Sequence, residues 1–171
     1  LGGERQSEAT EFTLVKAVAG LTHGHIRSTA ACWLYLRMAR WLLSGHTPAG
    51  AYTRLCREGA DQLWRLGVPA AEVSLFAPLL AGDLADRPEE LISSDGYVLH
   101  TLEAALWCLL RHDGYAATVL AAVNLGYDTD TTAAVVGGLA GLRYGEAGLP
   151  PEWLATLVRR ADIEELAARV S

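Results

Sequence analysis

The chain has 171 residues, 51% of them apolar, and a formal net charge of −6 with both signs dispersed. That length and apolar share support one packed domain, and dispersed negative charge disfavours nucleic acid or an anionic membrane as the main partner, because both reward clustered Lys and Arg. The nearest approach to a bilayer-spanning run, Leu99–Leu110, is interrupted by His100, Thr101 and Glu103.

Three cysteines, Cys32, Cys56 and Cys108, lie far apart and form no CxxC pair. A reducing compartment, the cytoplasm, is therefore expected. The opening Leu1-Gly2-Gly3-Glu4 has no initiator Met and no basic-then-apolar leader. Either the terminus is trimmed or the chain starts partway through a larger protein.

Nearly every segment reads as helix. Phe12, Val15, Val18, Ala19 and Leu21 share one face at helical spacing. A second helix is predicted over Arg27–Ser44, with Trp33, Leu34, Tyr35, Trp41 and Leu42 inward and Gly45 at its end. Thr47-Pro48 is an N-cap followed by a first-turn proline, and Gly67 closes that third helix. Pro69–Leu80 is expected as a short helix and the polar Asp83–Ser94, with Pro88, as loop. Val98–Arg111 and Tyr115–Asn124 follow, split by His112-Asp113-Gly114. Thr131–Tyr144, Pro151–Arg159 and Ile163–Val170 complete the chain. No segment alternates with a period of two, so the fold class is all-α, a single helical domain over 1–171 with short connections.

The most informative stretch is Asn124-Leu125-Gly126-Tyr127-Asp128-Thr129-Asp130-Thr131-Thr132. Two carboxylates two residues apart, just before a helix, repel by about 2–4 kcal/mol at an effective dielectric near 20. A hard divalent cation reverses that sign, since Mg²⁺ and Ca²⁺ take oxygen ligands. Read alone, the pattern also fits a plain helix cap beside a solvated aspartate. An EF-hand is excluded, because its glycine and glutamate positions hold Ala133 and Leu139. An aspartyl-phosphate phosphatase fits the letters Asp128, Asp130 and Thr132 but needs a preceding strand that is not there. Gly137, Gly138, Gly141 and Gly145 follow. Each helical glycine costs about 1 kcal/mol against alanine, so this helix is expected to pack very closely against a neighbour or a ligand.

Three stretches together resemble the ADP-ribosylglycohydrolase family, also called the dinitrogenase-reductase-activating glycohydrolase family. They are Gly126–Thr131 with Gly137–Gly145 and Leu149–Trp153, the segment Gly96–Trp107, and Thr22-His23-Gly24-His25 with the helix after it. The resemblance implies an all-α fold with two Mg²⁺ ions in a cleft. It implies Asp128, Asp130 and Thr131 as metal ligands, and His23, Gly96 and Tyr97 near the ADP-ribose. The implied activity is hydrolysis of the N- or O-glycosidic bond that joins ADP-ribose to a modified protein or small molecule.

Two departures stand out. The family usually has Gly-Gly before the first aspartate, where this chain has Gly126-Tyr127. Family members also carry a Thr-Asp-Asp run and an acidic catalytic residue in an N-terminal half, and this chain has no Thr-Asp-Asp. The expectation is that this chain is the C-terminal part of the domain, giving part of a two-metal site. An apolar face would then meet the missing half. Its catalytic residue is not identified.

The His23-x-His25 pair has no cysteine or acidic partner nearby and does not read as a zinc site. The remaining singled-out residues read as structural. His100 and Glu103 can face one another on a helix, Cys32 and Cys108 read as packed, and all five tryptophans as core. Three functions stay open on the sequence: a hydrolase, a non-catalytic relative that binds ADP-ribose, and a helical scaffold whose acidic loop is only a cap.

Overall fold

The computed structural model describes residues 2–169, with side chains from residue 7 onward. Among the described residues there are nine α-helices and no strand. They are α1 (Gly2–Ala19), α2 (Ile26–Leu43), α3 (Pro48–Arg65), α4 (Ala70–Ser74), α5 (Val98–Arg111), α6 (Tyr115–Asn124), α7 (Thr129–Tyr144), α8 (Pro151–Thr156) and α9 (Arg160–Ala168). Among the described residues no helix is long and apolar enough to cross a membrane.

Local chemistry sets most of these boundaries. His25 caps α2, its Nδ1 accepting the Arg27 N–H at 3.1 Å. Thr47 caps α3 by accepting the Gly50 N–H at 3.1 Å, with Pro48 in the first turn. Gly114 (φ +88°) and Gly145 (φ +68°) break the chain before α6 and after α7, with backbone angles that a side chain resists.

The core centres on α5, which packs against α2, α3, α6 and α7. Ala104–Leu109 are all buried, so this helix is apolar around its whole circumference, as a central helix must be. Trp33, Leu34 and Met38 of α2, Leu55 and Leu63 of α3, and Val136 and Leu139 of α7 close around it. Each such side chain contributes about 1.5–3 kcal/mol of hydrophobic stabilisation.

Several expectations are corrected. The helix predicted over Pro69–Leu80 stops at Ser74, and the chain runs on in turns. Pro78 has no N–H to continue the ladder, and the turns place Phe76 and Leu79 in the core instead. Asp83–Ser94, expected as loop, holds two 3₁₀ turns (Leu84–Asp86 and Glu89–Leu91) and buries Leu84 and Ile92. It is anchored by Arg87, whose carbonyl accepts the Trp107 Nε1–H at 2.9 Å and whose guanidinium pairs with Glu103 and Asp83. Glu103 therefore faces Arg87, not His100. The helix predicted over Pro151–Arg159 ends at Thr156, and Arg159 adopts a left-handed φ of +61° before α9. Of the last predicted helix, Val170 lies outside the described residues.

The first helix departs from its predicted face. Phe12 is buried edge-on against Trp33, with centroids 5.6 Å apart, but Val18 and Leu21 are exposed. Val18, with Leu14, instead lines an open apolar groove of about 660 Å³ between α1, α2, α5 and α7, together with Cys32, Leu36, Val98 and Leu102. Cys32 is thus exposed, contrary to its apolar sequence context, whereas Cys108 is buried. Trp64 is also exposed, at 66%, while Trp33, Trp41 and Trp107 are core.

Candidate functional site

The acidic segment is less of a loop than expected. Asp128 is the N-cap position of α7, and Thr129 already begins the helix, so Asp130 and Thr131 project from its first turn. The Asp128 carbonyl accepts the Thr132 N–H at 3.1 Å. Asp130 and Thr131 are exposed, and Asp128 is half-buried. Thr132, one residue on, is fully buried, and its hydroxyl has no hydrogen-bond partner.

A second segment, Ser94–Tyr97, is clamped against this one. The Asp128 N–H donates to the Ser94 carbonyl and the Ser94 hydroxyl donates to the Gly126 carbonyl, both at 2.9 Å. One serine thus ties down both sides of Tyr127. Gly96 lies directly on the Asp128 side chain: a Cβ there would come within 2.7 Å of Asp128 Oδ2. With φ +83° as well, position 96 accepts only glycine without strain.

The clamp is braced from behind. Asp95 accepts the Tyr97 N–H at 3.0 Å and the His100 Nδ1–H at 2.8 Å. The hydrogen bond from His100, and then that from the Tyr97 amide, holds the Asp95 carboxyl below its ordinary pKa. The Tyr97 ring meets His100 edge-on at 5.0 Å between centroids. Its hydroxyl accepts Arg27 Nη1–H at 2.8 Å, and the same guanidinium is held by both oxygens of Glu72 at 2.8 and 2.9 Å. That fork-to-fork hydrogen bonding lowers the Glu72 pKa.

The structure therefore brings Gly96 onto Asp128, places Tyr97 beside Gly96, and presents Asp130 and Thr131 on the first turn of α7. No hydrogen bond among the described residues joins His23 to this cluster. It is exposed on the α1–α2 connection, and its Nδ1 lies 2.9 Å from the hydroxyl of neighbouring Thr22. His25, its sequence partner, is used as the α2 cap. Sequence reasoning missed Arg27, Glu72, Ser94 and Asp95. Asp95, two residues before Tyr97, carries a local turn signal that was available. The Arg27–Glu72 pair spans 45 residues and has no local signature.

The glycine-rich helix is explained by packing. Gly138 faces the Tyr35 hydroxyl so closely that a side chain would collide, and that hydroxyl donates to the Val135 carbonyl at 3.1 Å. Gly137 lies less tightly against the Tyr115 hydroxyl, which is 3.3 Å from its would-be Cβ. Small residues let α7 approach its neighbours, and this fixes the direction of its acidic N-terminus.

An all-helical domain that presents clustered oxygen donors at the head of a glycine-rich helix is the class of protein defined by this fold and site. The family model described as ADP-ribosylglycohydrolase matches residues 2–171, and the chain belongs to that family. It is 38% identical over 119 residues to the ADP-ribosylarginine hydrolase Tri1 of Pseudomonas putida (strain GB-1), covering 68% of this chain and 32% of that protein. It is 40% identical over 90 residues to the protein of the same name from Serratia proteamaculans (strain 568), covering 53% of this chain and 25% of that protein. It is 31% identical over 150 residues to the ADP-ribosyl-[dinitrogen reductase] glycohydrolase of Rhodospirillum rubrum, covering 88% and 44% respectively. The chain thus spans between a quarter and less than half of the length of these relatives.

Proposed function

We propose that this chain supplies part of the active site of a Mg²⁺-dependent hydrolase that removes ADP-ribose from arginine side chains of modified proteins. The observation that carries the reading is the close approach of Gly96 to Asp128, which leaves room for one carboxylate at the head of α7. The names of the Tri1 relatives support the arginine linkage, and that of the Rhodospirillum relative a protein substrate.

The donor set suits a hard cation. Asp128, Asp130 and Thr131 offer oxygens only, and Thr132 adds a buried hydroxyl without a partner. These residues would hold Mg²⁺, which when bound supplies Lewis-acid polarisation and a nucleophilic water at neutral pH. Among the described residues no group of three His, Cys, Asp or Glu side chains gathers around one point. The remaining ligands of a two-ion site then come from the rest of a longer protein. We place that remainder, as an N-terminal half, on the apolar groove between α1, α2, α5 and α7.

In this reading the Ser94–Tyr97 segment, braced by Asp95, His100 and Arg27, shapes the wall against which the ribose is oriented. His23, on its exposed connection, is the outlying sugar-nucleotide contact. In the reaction a water oxygen replaces the arginine nitrogen at the anomeric carbon. The C–N bond breaks, and the released guanidine keeps the proton that water gives up.

The test is turnover of an ADP-ribosylated arginine substrate by the longest natural form of the protein, with Mg²⁺ and with chelator, for wild type and Asp128→Asn. Mg²⁺-dependent release of ADP-ribose that vanishes in the variant supports the reading. A second reading, a relative that binds ADP-ribose without cleaving it, draws on Tyr127, which stands where the loop takes a positive φ. ADP-ribose binding by calorimetry with no turnover would select it. Neither binding nor turnover would leave the acidic segment as a helix cap in a scaffold.

A further inference from the structure

Arg27 lies in the first turn of α2 and joins it to two distant segments. Its backbone N–H is taken by the capping Nδ1 of His25, so its main chain is tied to the connection that carries His23. Its Nε–H and Nη2–H donate to the two oxygens of Glu72 on α4, at 2.8 and 2.9 Å. Its Nη1–H donates to the Tyr97 hydroxyl at 2.8 Å, across 70 residues of chain. A planar guanidinium can grip a carboxylate with one edge and keep a further N–H for a second partner, which a lysine ammonium does without any fixed fork.

The bond to Tyr97 decides what the phenol can do next. A tyrosine hydroxyl has one hydrogen to give and lone pairs to accept with, whereas a guanidinium only donates. Arg27 therefore fills an acceptor position and leaves the hydroxyl hydrogen over. Among the described residues that O–H meets no acceptor. The ring is held from a second side, where His100 meets it edge-on at 5.0 Å between centroids and is itself bonded to Asp95 at 2.8 Å. Tyr97 is 38% exposed, so a ligand can reach it. A hydroxyl that accepts from a cation is also a stronger donor, because hydrogen bonds in a chain polarise one another.

We propose that Arg27 is a positioning residue of the substrate site: through its bond to the Tyr97 phenol oxygen it aims the Tyr97 O–H at an oxygen of the bound ADP-ribose. This rests on the reading above of Ser94–Tyr97 as a wall of the sugar-nucleotide site, and adds the donor on that wall and the group that sets its direction. Glu72 contributes by holding the guanidinium in the orientation that reaches the phenol. Arg27 acts through Tyr97 and touches no substrate itself.

The experiment is a double-mutant cycle in the longest natural form of the protein, with Arg27→Met, Tyr97→Phe and the two combined, and with Arg27→Lys beside them. Calorimetry gives the Kd for ADP-ribose, turnover of an arginine-linked substrate gives kcat and KM, and thermal melts give stability. One net hydrogen bond corresponds to roughly 2- to 10-fold in affinity. Arg27→Met and Tyr97→Phe should each weaken ADP-ribose binding by about that factor, with the loss in turnover chiefly in KM. The combined variant should bind no more weakly than Tyr97→Phe alone, since Arg27 then has no hydroxyl to position. Arg27→Lys keeps a cation beside Glu72 and should melt close to wild type, yet bind ADP-ribose as weakly as Arg27→Met. If Arg27→Met does not fold, the cycle runs with Arg27→Lys in its place, on the same expectations. Additive losses in the combined variant overturn the inference, because Arg27 then acts independently of the phenol. Wild-type affinity in Arg27→Lys or in Tyr97→Phe overturns it as well, and each of these results leaves the hydrolase reading intact. If wild type itself does not bind ADP-ribose, the reading of the site falls first, and the inference with it.

Discussion

Gly96→Ala probes the clamp with one methyl group. Two effects separate in the structure. The backbone term is the positive φ of +83°, which costs an alanine about 1–2 kcal/mol. The contact term is the 2.7 Å approach of the new Cβ to Asp128 Oδ2, too short for real atoms, so the carboxylate must swing away or the two segments must part. Gly114→Ala is the control, because its φ is +88° with nothing within 4 Å of the would-be Cβ. Both variants should lose the backbone term, about 2–8 °C in melting temperature for a domain of this size. Only Gly96→Ala should lose turnover and Mg²⁺ affinity. A misplacement of about 1 Å in a positioned group costs on the order of 100-fold in rate. The assay pairs thermal melts with turnover of arginine-linked substrate and calorimetric Mg²⁺ titration. If both variants retain the same activity and metal affinity, the Gly96–Asp128 contact does not position the site.

Glu72 gives a pH prediction. Its hydrogen bonds from Arg27 depress its pKa below 4.5, so its contribution to stability is full above pH 4.5 and is lost as the pH falls through the lowered folded value. Thermal melts of Glu72→Gln should therefore fall less steeply than wild type between pH 4.5 and lower pH; identical slopes would refute the assignment. Thiol titration of this chain alone, with its apolar groove uncovered, by an aromatic disulfide at neutral pH should label Cys32, which is exposed. It should spare Cys108, whose thiol burial pushes up to about 12, until denaturant is added. Trp107→Ala should cost about 3–5 kcal/mol in urea unfolding, through lost core volume and the orphaned Arg87 carbonyl. Trp64→Ala should stay within about 0.5 kcal/mol, because its ring is largely in water. Equal losses for the two tryptophans would show that Trp64 is packed after all.

What the sequence by itself determined is the content that local chemistry carries. Apolar spacing defined the helices, Thr47-Pro48 and Gly114 placed their starts, and the paired aspartates before a glycine-rich helix marked the candidate site. These signals are local because capping, turn angles and helical period act within a few residues. The tertiary structure decided what depends on distant neighbours. Trp64 and Cys32 are expected to pack like Trp33 and Cys108, yet they face water or an open groove, because burial is set by which elements surround a helix and not by its own letters. The Pro69–Leu80 helix gave way after Ser74 because Phe76 and Leu79 gain more in the core than in a continued helix that Pro78 would break. The clamp itself was invisible beforehand. Ser94 reaches Gly126 across 32 residues and Arg27 reaches Tyr97 across 70, and hydrogen bonds over such separations leave no pattern along the chain.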